Sequence, residues 1–370
     1  MILMKKVKLS DISTITTGNT PSKKNENYYN AKDIYFIKPD EIRSFDSINY
    51  LEKSKYYLSE RAREKARIVN ENSVLVTCIG NIGKLGFITT EEVAFNQQIN
   101  ALKADEKKVT SKYLAYTMLY NQSRLQFIAN APVVPQVNKT QLSNFEVYIH
   151  DSLEEQQKIV EILDSIQIVI TKREKQLQGL GNLIRSILLD TFGDVRNNPK
   201  NYEMKYWEDV LDITNGRNQK KVENKDGMYP IYGSGGIMSY ADDWITKENS
   251  VIIGRKGNIN DPILVEEKFW NVDTAFGLEP NKNYINHHYL FGFCKLFDFE
   301  RLNRTVTIPS LRKDDLRKIE MPIPPLKLQQ EYENKVLKIT KTMEKMQASL
   351  DEMNTLFDAL MQKAFAGELV

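Results

Sequence analysis

Two stretches of the chain carry the same apolar rhythm. From Leu153 to Phe192, the residues Ile159, Leu163, Ile166, Ile170, Leu177, Leu180, Ile184 and Ile187 recur at steps of three and four, interrupted only by Arg173. From Leu326 to Phe365 the same stepping runs through Tyr332, Val336, Ile339, Met343, Met346, Leu350, Met353, Phe357 and Leu360. A repeat averaging about 3.5 residues keeps one stripe of a helix against a partner for many turns. The pattern predicts two long helices packed as a coiled coil. Leu153 and Leu326, Ile159 and Tyr332, Leu177 and Leu350, and Phe192 and Phe365 are each 173 positions apart, so the two stripes match without a gap. At roughly 1.5 Å per residue each helix is about 60 Å long.

The stretches before the helices repeat as well. Asp11, Ile15 and Gly18 match Asp209, Ile213 and Gly216 at an offset of 198. Asn72-Ser73-Val74-Leu75-Val76 matches Asn249-Ser250-Val251-Ile252-Ile253, and Gly80-Asn81-Ile82 matches Gly257-Asn258-Ile259, both at 177. Pro135-Gln136-Val137-Asn138-Lys139 with Leu142 matches Pro309-Ser310-Leu311-Arg312-Lys313 with Leu316 at 174. The offset changes where loops differ in length, and the matched pieces persist. Short β-branched runs such as Val74-Leu75-Val76 and Val251-Ile252-Ile253 read as buried strands. Tyr113 to Phe127 and Tyr289 to Phe299 have helical spacing. The expected fold is α+β, with two similar blocks joined by two long helices in an antiparallel coiled coil with pseudo-two-fold symmetry. Its parts are 1–150, the helix 151–195, 196–325, and the helix 326–370. A buried hairpin core or a homodimer zipper would show the same heptads, but the matched flanking blocks favour a pair within one chain. Asp151 or Ser152 is expected to cap the first helix, and Pro322, Pro324 and Pro325 to stop the chain before the second.

Composition narrows the class. With 41% hydrophobic and 27% charged residues in 370, the chain has room for two or three cores and reads as neither disordered nor membrane-bound. No apolar run approaches the roughly 18 residues of a spanning helix, and no signal peptide is expected. Cys78 and Cys294 are expected as isolated reduced thiols, consistent with a cytoplasmic location. The net charge of +2 is uninformative. Its distribution says more: residues 1–150 hold about 21 Lys and Arg against about 15 Asp and Glu, whereas 151–195 hold about 5 against 8. Residues 196–325 are balanced, so a basic face there has to come from arrangement.

No catalytic set stands out. His150, His287 and His288 are too few and too scattered for a metal site, and a surface or turn role is expected. Gly80-Asn81-Ile82-Gly83-Lys84 lacks Walker A spacing, since Leu85 follows the lysine. Gly233-Ser234-Gly235-Gly236 reads as a tight turn rather than a phosphate cradle. The polar and basic loops are of the kind that meet DNA. Lys23, Lys24, Asn25, Asn27 and Tyr28 follow Gly18, and Arg217, Asn218, Gln219, Lys220 and Lys221 follow Gly216. Lys84, Gln97, Arg255, Lys256, Arg304, Arg312 and Lys313 are further candidates. Asn and Gln pair bidentately with adenine, Arg with guanine, and Lys suits phosphates. Solvated surface loops would have the same composition.

Taken together, the chain resembles the specificity subunits of type I restriction-modification systems. The resemblance is carried by Thr17-Gly18-Asn19-Thr20-Pro21-Ser22 with Asp33 to Pro39, Tyr229 to Gly236, Val251 to Gly257, and Phe365-Ala366-Gly367-Glu368-Leu369, in the order block, helix, block, helix. His150-Asp151-Ser152 departs from it where the second half has Pro324-Pro325. The resemblance implies a non-catalytic subunit in which each block is a target recognition domain for one half of a split, asymmetric double-stranded DNA site. The helices would set the spacing and dock two modification subunits similar to adenine-N6 methyltransferases. No cofactor is expected in this chain. S-adenosylmethionine, ATP and magnesium would belong to the modification subunits and to separate restriction subunits that translocate and cut. The rival reading is a coiled-coil scaffold joining two protein-binding domains.

Overall fold

The computed structural model describes residues 4–129, 134–305 and 307–369. The chain divides into two compact units, one of Met1–Lys172 with Leu350–Val370, the other of Arg173–Ser349. Each unit therefore holds one block together with half of each long helix.

In the first unit a five-stranded sheet runs in the order Ser13–Thr17, Ile99–Ala104, Val74–Thr77, Leu85–Ile88, Ile48–Leu51. A second sheet orders Tyr57–Leu58, Ile34–Ile37, Glu92–Phe95 and Ile68–Asn70. Leu75, Ile88, Val93, Phe95 and Ile99 pack together in the core, with every side chain of Val74–Thr77 buried. In the second unit the order Leu211–Asn215, Ala275–Pro280, Ser250–Gly254, Ile263–Val265 repeats the first four strands of that five-stranded sheet. A hairpin of Tyr229–Gly233 and Gly236–Ala241 turns through Ser234 and Gly235, the tight turn expected there. Asn72 and Asn249 both adopt left-handed φ, of 62° and 58°, at the matched turn entering the central strand. Asparagine tolerates that conformation better than most residues. A two-stranded antiparallel ribbon leads into each long helix, Lys5–Lys8 with Glu146–Ile149 and Glu203–Tyr206 with Glu320–Ile323.

The long helices span Leu153–Phe192 and Leu326–Ala366. Of the two capping candidates Ser152 serves, its Oγ accepting from the Glu155 amide at 3.3 Å. Both helices end at a glycine in the left-handed region, Gly193 (φ 76°) and Gly367 (φ 74°), which terminates them as a side-chain-bearing residue would not without strain. The heptad positions follow the predicted face. Ile159, Leu163, Ile170, Tyr332, Val336, Leu350 and Phe357 are buried. Ile166, Arg173, Leu177, Leu180, Ile184, Ile187, Ile339, Met343, Met346, Met353 and Leu360 are half-buried. Off the stripe, Ile168, Val169, Leu183, Leu337 and Leu356 are exposed, whereas Val160, Leu188 and Met361 are buried. A fully buried stripe residue contributes about 1.5–3 kcal/mol, so the buried ends of the helices carry more of the packing than their middles.

In each unit the long helices pack on the block's own helix. In the first, Tyr113 and Tyr120 of the helix Ser111–Tyr120 lie 5.5 and 4.9 Å from the Phe365 ring, and Tyr116 donates to Asp164 Oδ1 at 2.7 Å. In the second, Phe192 meets Tyr289 of the helix His287–Leu296 and Tyr332 at 4.8 and 5.2 Å. One long helix thus starts where the other ends, within each unit. The helical run expected from Tyr113 to Phe127 is broken at Asn121, which caps Ser111–Tyr120 before the short helix Gln122–Phe127.

A buried glutamine in the second turn of each long helix fixes this joint. Gln156 Nε2 donates to Lys108 O (3.0 Å) and His150 O (2.8 Å), and its Oε1 accepts from the Thr110 amide (2.9 Å). Gln329 Nε2 donates to Tyr284 O (2.9 Å) and Pro324 O (2.8 Å), and its Oε1 accepts from the Asn286 amide (2.8 Å). Thr110 and Asn286 are the N-caps of the two block helices. Each glutamine therefore ties block helix, incoming chain and long helix with three bonds in a site closed to water.

Candidate nucleic-acid interface

Four separated segments of each block meet at one place, held by matching backbone bonds. Gly18 N donates to Ile99 O (3.0 Å), as Gly216 N does to Ala275 O (3.2 Å). Cys78 N donates to Gln98 O (2.8 Å), as Arg255 N does to Thr274 O (2.7 Å). Gly80 N donates to Pro135 O (3.0 Å) and Gly257 N to Pro309 O (2.9 Å). Val137 N donates to Cys78 O and Leu311 N to Arg255 O, both at 2.9 Å. The segments that repeat in the sequence are thus the ones brought together in space. Close approach explains the matched glycines. A Cβ on Gly18 would stand 2.2 Å from Asn96 O, and one on Gly216 only 1.8 Å from Val272 O.

The side chains mounted on this shared frame differ. In the second block Arg217, Lys256 and Arg312 are exposed, and Arg255 and Lys313 half-buried. The four segments there gather five of the candidate cations. Arg255 reaches Asp273 O at 3.4 Å and lies 5.9 Å from the Phe276 ring, which orients the guanidinium. The Asn218 Oδ1 accepts from the Lys220 amide at 3.0 Å and so shapes the loop carrying Gln219, Lys220 and Lys221. In the first block the positions of Arg255, Lys256 and Arg312 are taken by Cys78, Ile79 and Asn138. Cys78 is buried, and burial pushes its thiol up to about 11, so no charge is offered there. Gln97 is exposed and its Oε1 accepts from Thr20 at 2.7 Å, linking it to the loop of Lys23 and Lys24, both exposed. Asn25 caps a short turn by accepting from the Asn27 amide at 3.2 Å, beside half-buried Tyr28. The first surface carries its cations on Lys23, Lys24 and Lys139, and lacks those that the second has at Arg255, Lys256 and Arg312.

Two candidates are already engaged. Arg304 pairs with Asp315 at 2.7 Å, and half-buried Lys84 lies 4.8 Å from the Phe45 ring. Three residues missed by the sequence reading lie on the meeting segments: Gln136 and Ser310, bridged to Ile79 and Lys256, and Asn138, which caps the helix Lys139–Ser143. The offset of 174 that pairs their segments is the signal that points to them. The histidines are a correction. Surface or turn roles were expected, yet His150 and His288 are buried and His287 is half-buried. His150 Nδ1 shares a 2.8 Å bond with the Tyr113 hydroxyl, and donor atoms of His287, His288 and Glu266 lie within 4.8 Å of one another. His150 lies apart from the other two, in the first unit, whereas His287 and His288 meet Glu266, a residue distant in sequence, within the second.

Residues 1–179 and 199–354 match the family described as the type I restriction modification DNA specificity domain. The chain belongs to that family. Both matched segments contain one complete set of the meeting loops, so the specificity domain occurs here twice. Among curated relatives, the type I restriction enzyme MjaIX specificity subunit of Methanocaldococcus jannaschii is 24% identical over 98% of this chain and 92% of its own length. The EcoprrI specificity subunit of Escherichia coli is 23% identical over 67% of this chain and 66% of its own. In fold, this specificity subunit is similar to the type I restriction-modification S subunit of M. genitalium, with a TM-score of 0.64 at 15% identity over 98% of this chain and 96% of that one. A chain from a type I system studied for complex assembly and conformational transition gives 0.56 at 14% identity, over 99% and 98%. Among the described residues no helix is long and apolar enough to cross a membrane.

Proposed function

We propose that the two blocks read the two halves of a bipartite, asymmetric site in double-stranded DNA. The observation that carries this reading is the doubled frame of meeting loops with unlike side chains: one backbone scaffold, two surfaces whose matched positions hold different residues. Identical surfaces would suit a palindrome, whereas unlike ones suit an asymmetric site. In the second block Arg217, Arg255 and Arg312 make the bidentate contacts with guanine and Lys256 the phosphate contact on this reading. In the first, Gln97, Gln136 and Asn138 suit adenine. This chain itself does no chemistry. Two modification subunits dock on the long helices and methylate adenine with S-adenosylmethionine, and ATP-driven restriction subunits join them.

The long helices act as the spacer. Four residues inserted after both Leu177 and Leu350 add about 6 Å, close to two base pairs, and roughly one helical turn keeps the stripe in phase. Genome-wide methylation mapping of the assembled methyltransferase should then find both half-sites unchanged and the gap between them longer. An unaltered gap would overturn the spacer role. Methylation that showed no dependence on DNA sequence would overturn the reading itself and favour a scaffold.

A further inference from the structure

We propose that His287, His288, Glu333 and Glu266 form a binding site for a divalent transition metal of the zinc class, which pins the second block to the long helix. All four belong to one compact unit. His287 and His288 open the helix His287–Leu296, Glu333 lies on the long helix Leu326–Ala366, and Glu266 follows the strand Ile263–Val265. Glu333 Oε1 stands 3.7 Å from His287 Nε2 and 3.8 Å from His288 Nε2, and Glu266 Oε1 stands 3.9 Å from His288 Nε2. These separations are too long for hydrogen bonds. They lie near the edge of a tetrahedron whose metal–ligand bonds are about 2.0–2.1 Å, about 3.3 Å, and small side-chain movements close the difference.

Three further observations point to a ligand. His288 is 4% exposed and its Nε2, aimed at the two carboxylates, has no hydrogen-bond partner. A buried polar atom left in this state is costly, and a metal would satisfy it. Glu333 is oriented from behind, its Oε2 accepting from Gln330 Nε2 (2.8 Å) and Asn286 Nδ2 (3.2 Å), which leaves Oε1 for the metal. Two imidazoles and two carboxylates make a mixed N,O set that balances a divalent charge. A cavity of about 690 Å³ lined by Glu266, His288, Tyr332 and Val336 gives an entry path.

The first unit has a different lock at this joint. There Lys112, at the position of His288, pairs with Asp164 at 2.5 Å, and Val160 occupies the place of Glu333. The joint thus carries a polar tie in both units, one complete in itself and the other wanting an ion.

The test uses the untagged full chain, stripped with chelator and titrated with zinc chloride against a chromophoric competitor, with thermal unfolding followed in parallel. The expected result is one zinc per chain and a melting temperature that rises with zinc. His288→Asn and Glu333→Gln should each abolish stoichiometric uptake. Gln330→Ala, at an exposed position behind Glu333, should weaken it about 10–100-fold while the chain stays folded. Glu266→Gln, on the exposed loop, provides a second folded variant and should also weaken uptake. A wild-type chain that binds no zinc would overturn the proposal. So would folded Gln330→Ala and Glu266→Gln chains that both bind it as wild type does.

Discussion

The two units solve the same structural problem with the same backbone and different side chains. Each mounts four loop segments through four equivalent backbone bonds, and each ties its block helix to the long helices through one buried glutamine. Where an atom must meet another backbone, the halves agree: Gly18 with Gly216, Asn72 with Asn249, Gln156 with Gln329. At the surface they part: buried Cys78 and half-buried Ile79 stand where the second half has Arg255 and Lys256, and Asn138 where it has Arg312. The difference separates two demands on one fold. Frame residues answer to steric and hydrogen-bonding requirements that both halves share, and surface residues answer to whatever each half meets.

The comparison breaks most severely at the frame. Gly216→Ala places a methyl 1.8 Å from Val272 O, and Gly18→Ala places one 2.2 Å from Asn96 O, both against backbone that cannot step aside. Each should destabilise its own unit by about 3 kcal/mol or more, Gly216→Ala the more of the two. Urea unfolding followed by hydrogen exchange assigns the loss to a unit. Loss of less than about 1 kcal/mol in either variant would mean that the loops do not meet as closely as described. Next come the glutamines. Gln156→Ala and Gln329→Ala each remove three bonds and strand buried carbonyls and an amide, which should cost about 2–4 kcal/mol apiece. Near-equal losses in the two variants would support equivalence of the joints, and a loss confined to one would refute it.

The outward-facing differences should produce smaller and one-sided effects. Arg255→Ala or Arg312→Ala in the assembled methyltransferase should weaken recognition of one half-site by about 1–3 kcal/mol and relax its sequence, leaving the other half untouched. Lys256→Ala should instead weaken all sequences alike and lower the salt dependence by about one charge. Competition binding on oligonucleotides altered in one half at a time distinguishes these outcomes. Relaxation of both halves by Arg255→Ala would contradict the assignment of one reader to each block.

How much of this was legible beforehand follows from the range of each signal. The long helices are read from a period that each residue reports locally, and Ile159, Leu163, Leu350 and Phe357 are buried on the stripe they define. The loop frame is read from repetition: the offsets of 177 and 174 mark segments whose contact only the fold reveals. Gln156 and Gln329 share the offset of 173 with the stripe, yet a glutamine within an apolar rhythm reads as a solvated position until its partners appear. Those partners, Lys108 and Tyr284, lie 48 and 45 residues away. The histidines were misread for the same reason. His287 and His288 meet Glu333 across two helices, and nothing in their local sequence points to a carboxylate 45 residues on.

The smallest expected effect concerns His150, whose carbonyl serves the same glutamine bond as that of Pro324. Its ring is buried, its Nδ1 shares a bond with the Tyr113 hydroxyl and its Nε2 is without a partner. Burial lowers its pKa from the usual 6.5, outweighing Glu155, which favours the charged form. The folded chain thus holds His150 neutral where the unfolded chain takes up a proton. That contribution to stability is fully present above about pH 6.5 and is lost progressively as pH falls below it, towards the lower pKa of the folded state. His150→Gln, which keeps a polar partner for Tyr113, should flatten the loss of stability in the first unit between about pH 6.5 and pH 5. The second unit, with Pro324 at the corresponding place, should keep its own profile in both chains. Urea midpoints taken across that range, with hydrogen exchange to separate the units, measure the difference. A profile for the first unit that is as steep in His150→Gln as in the wild type would show that the proton is taken up elsewhere.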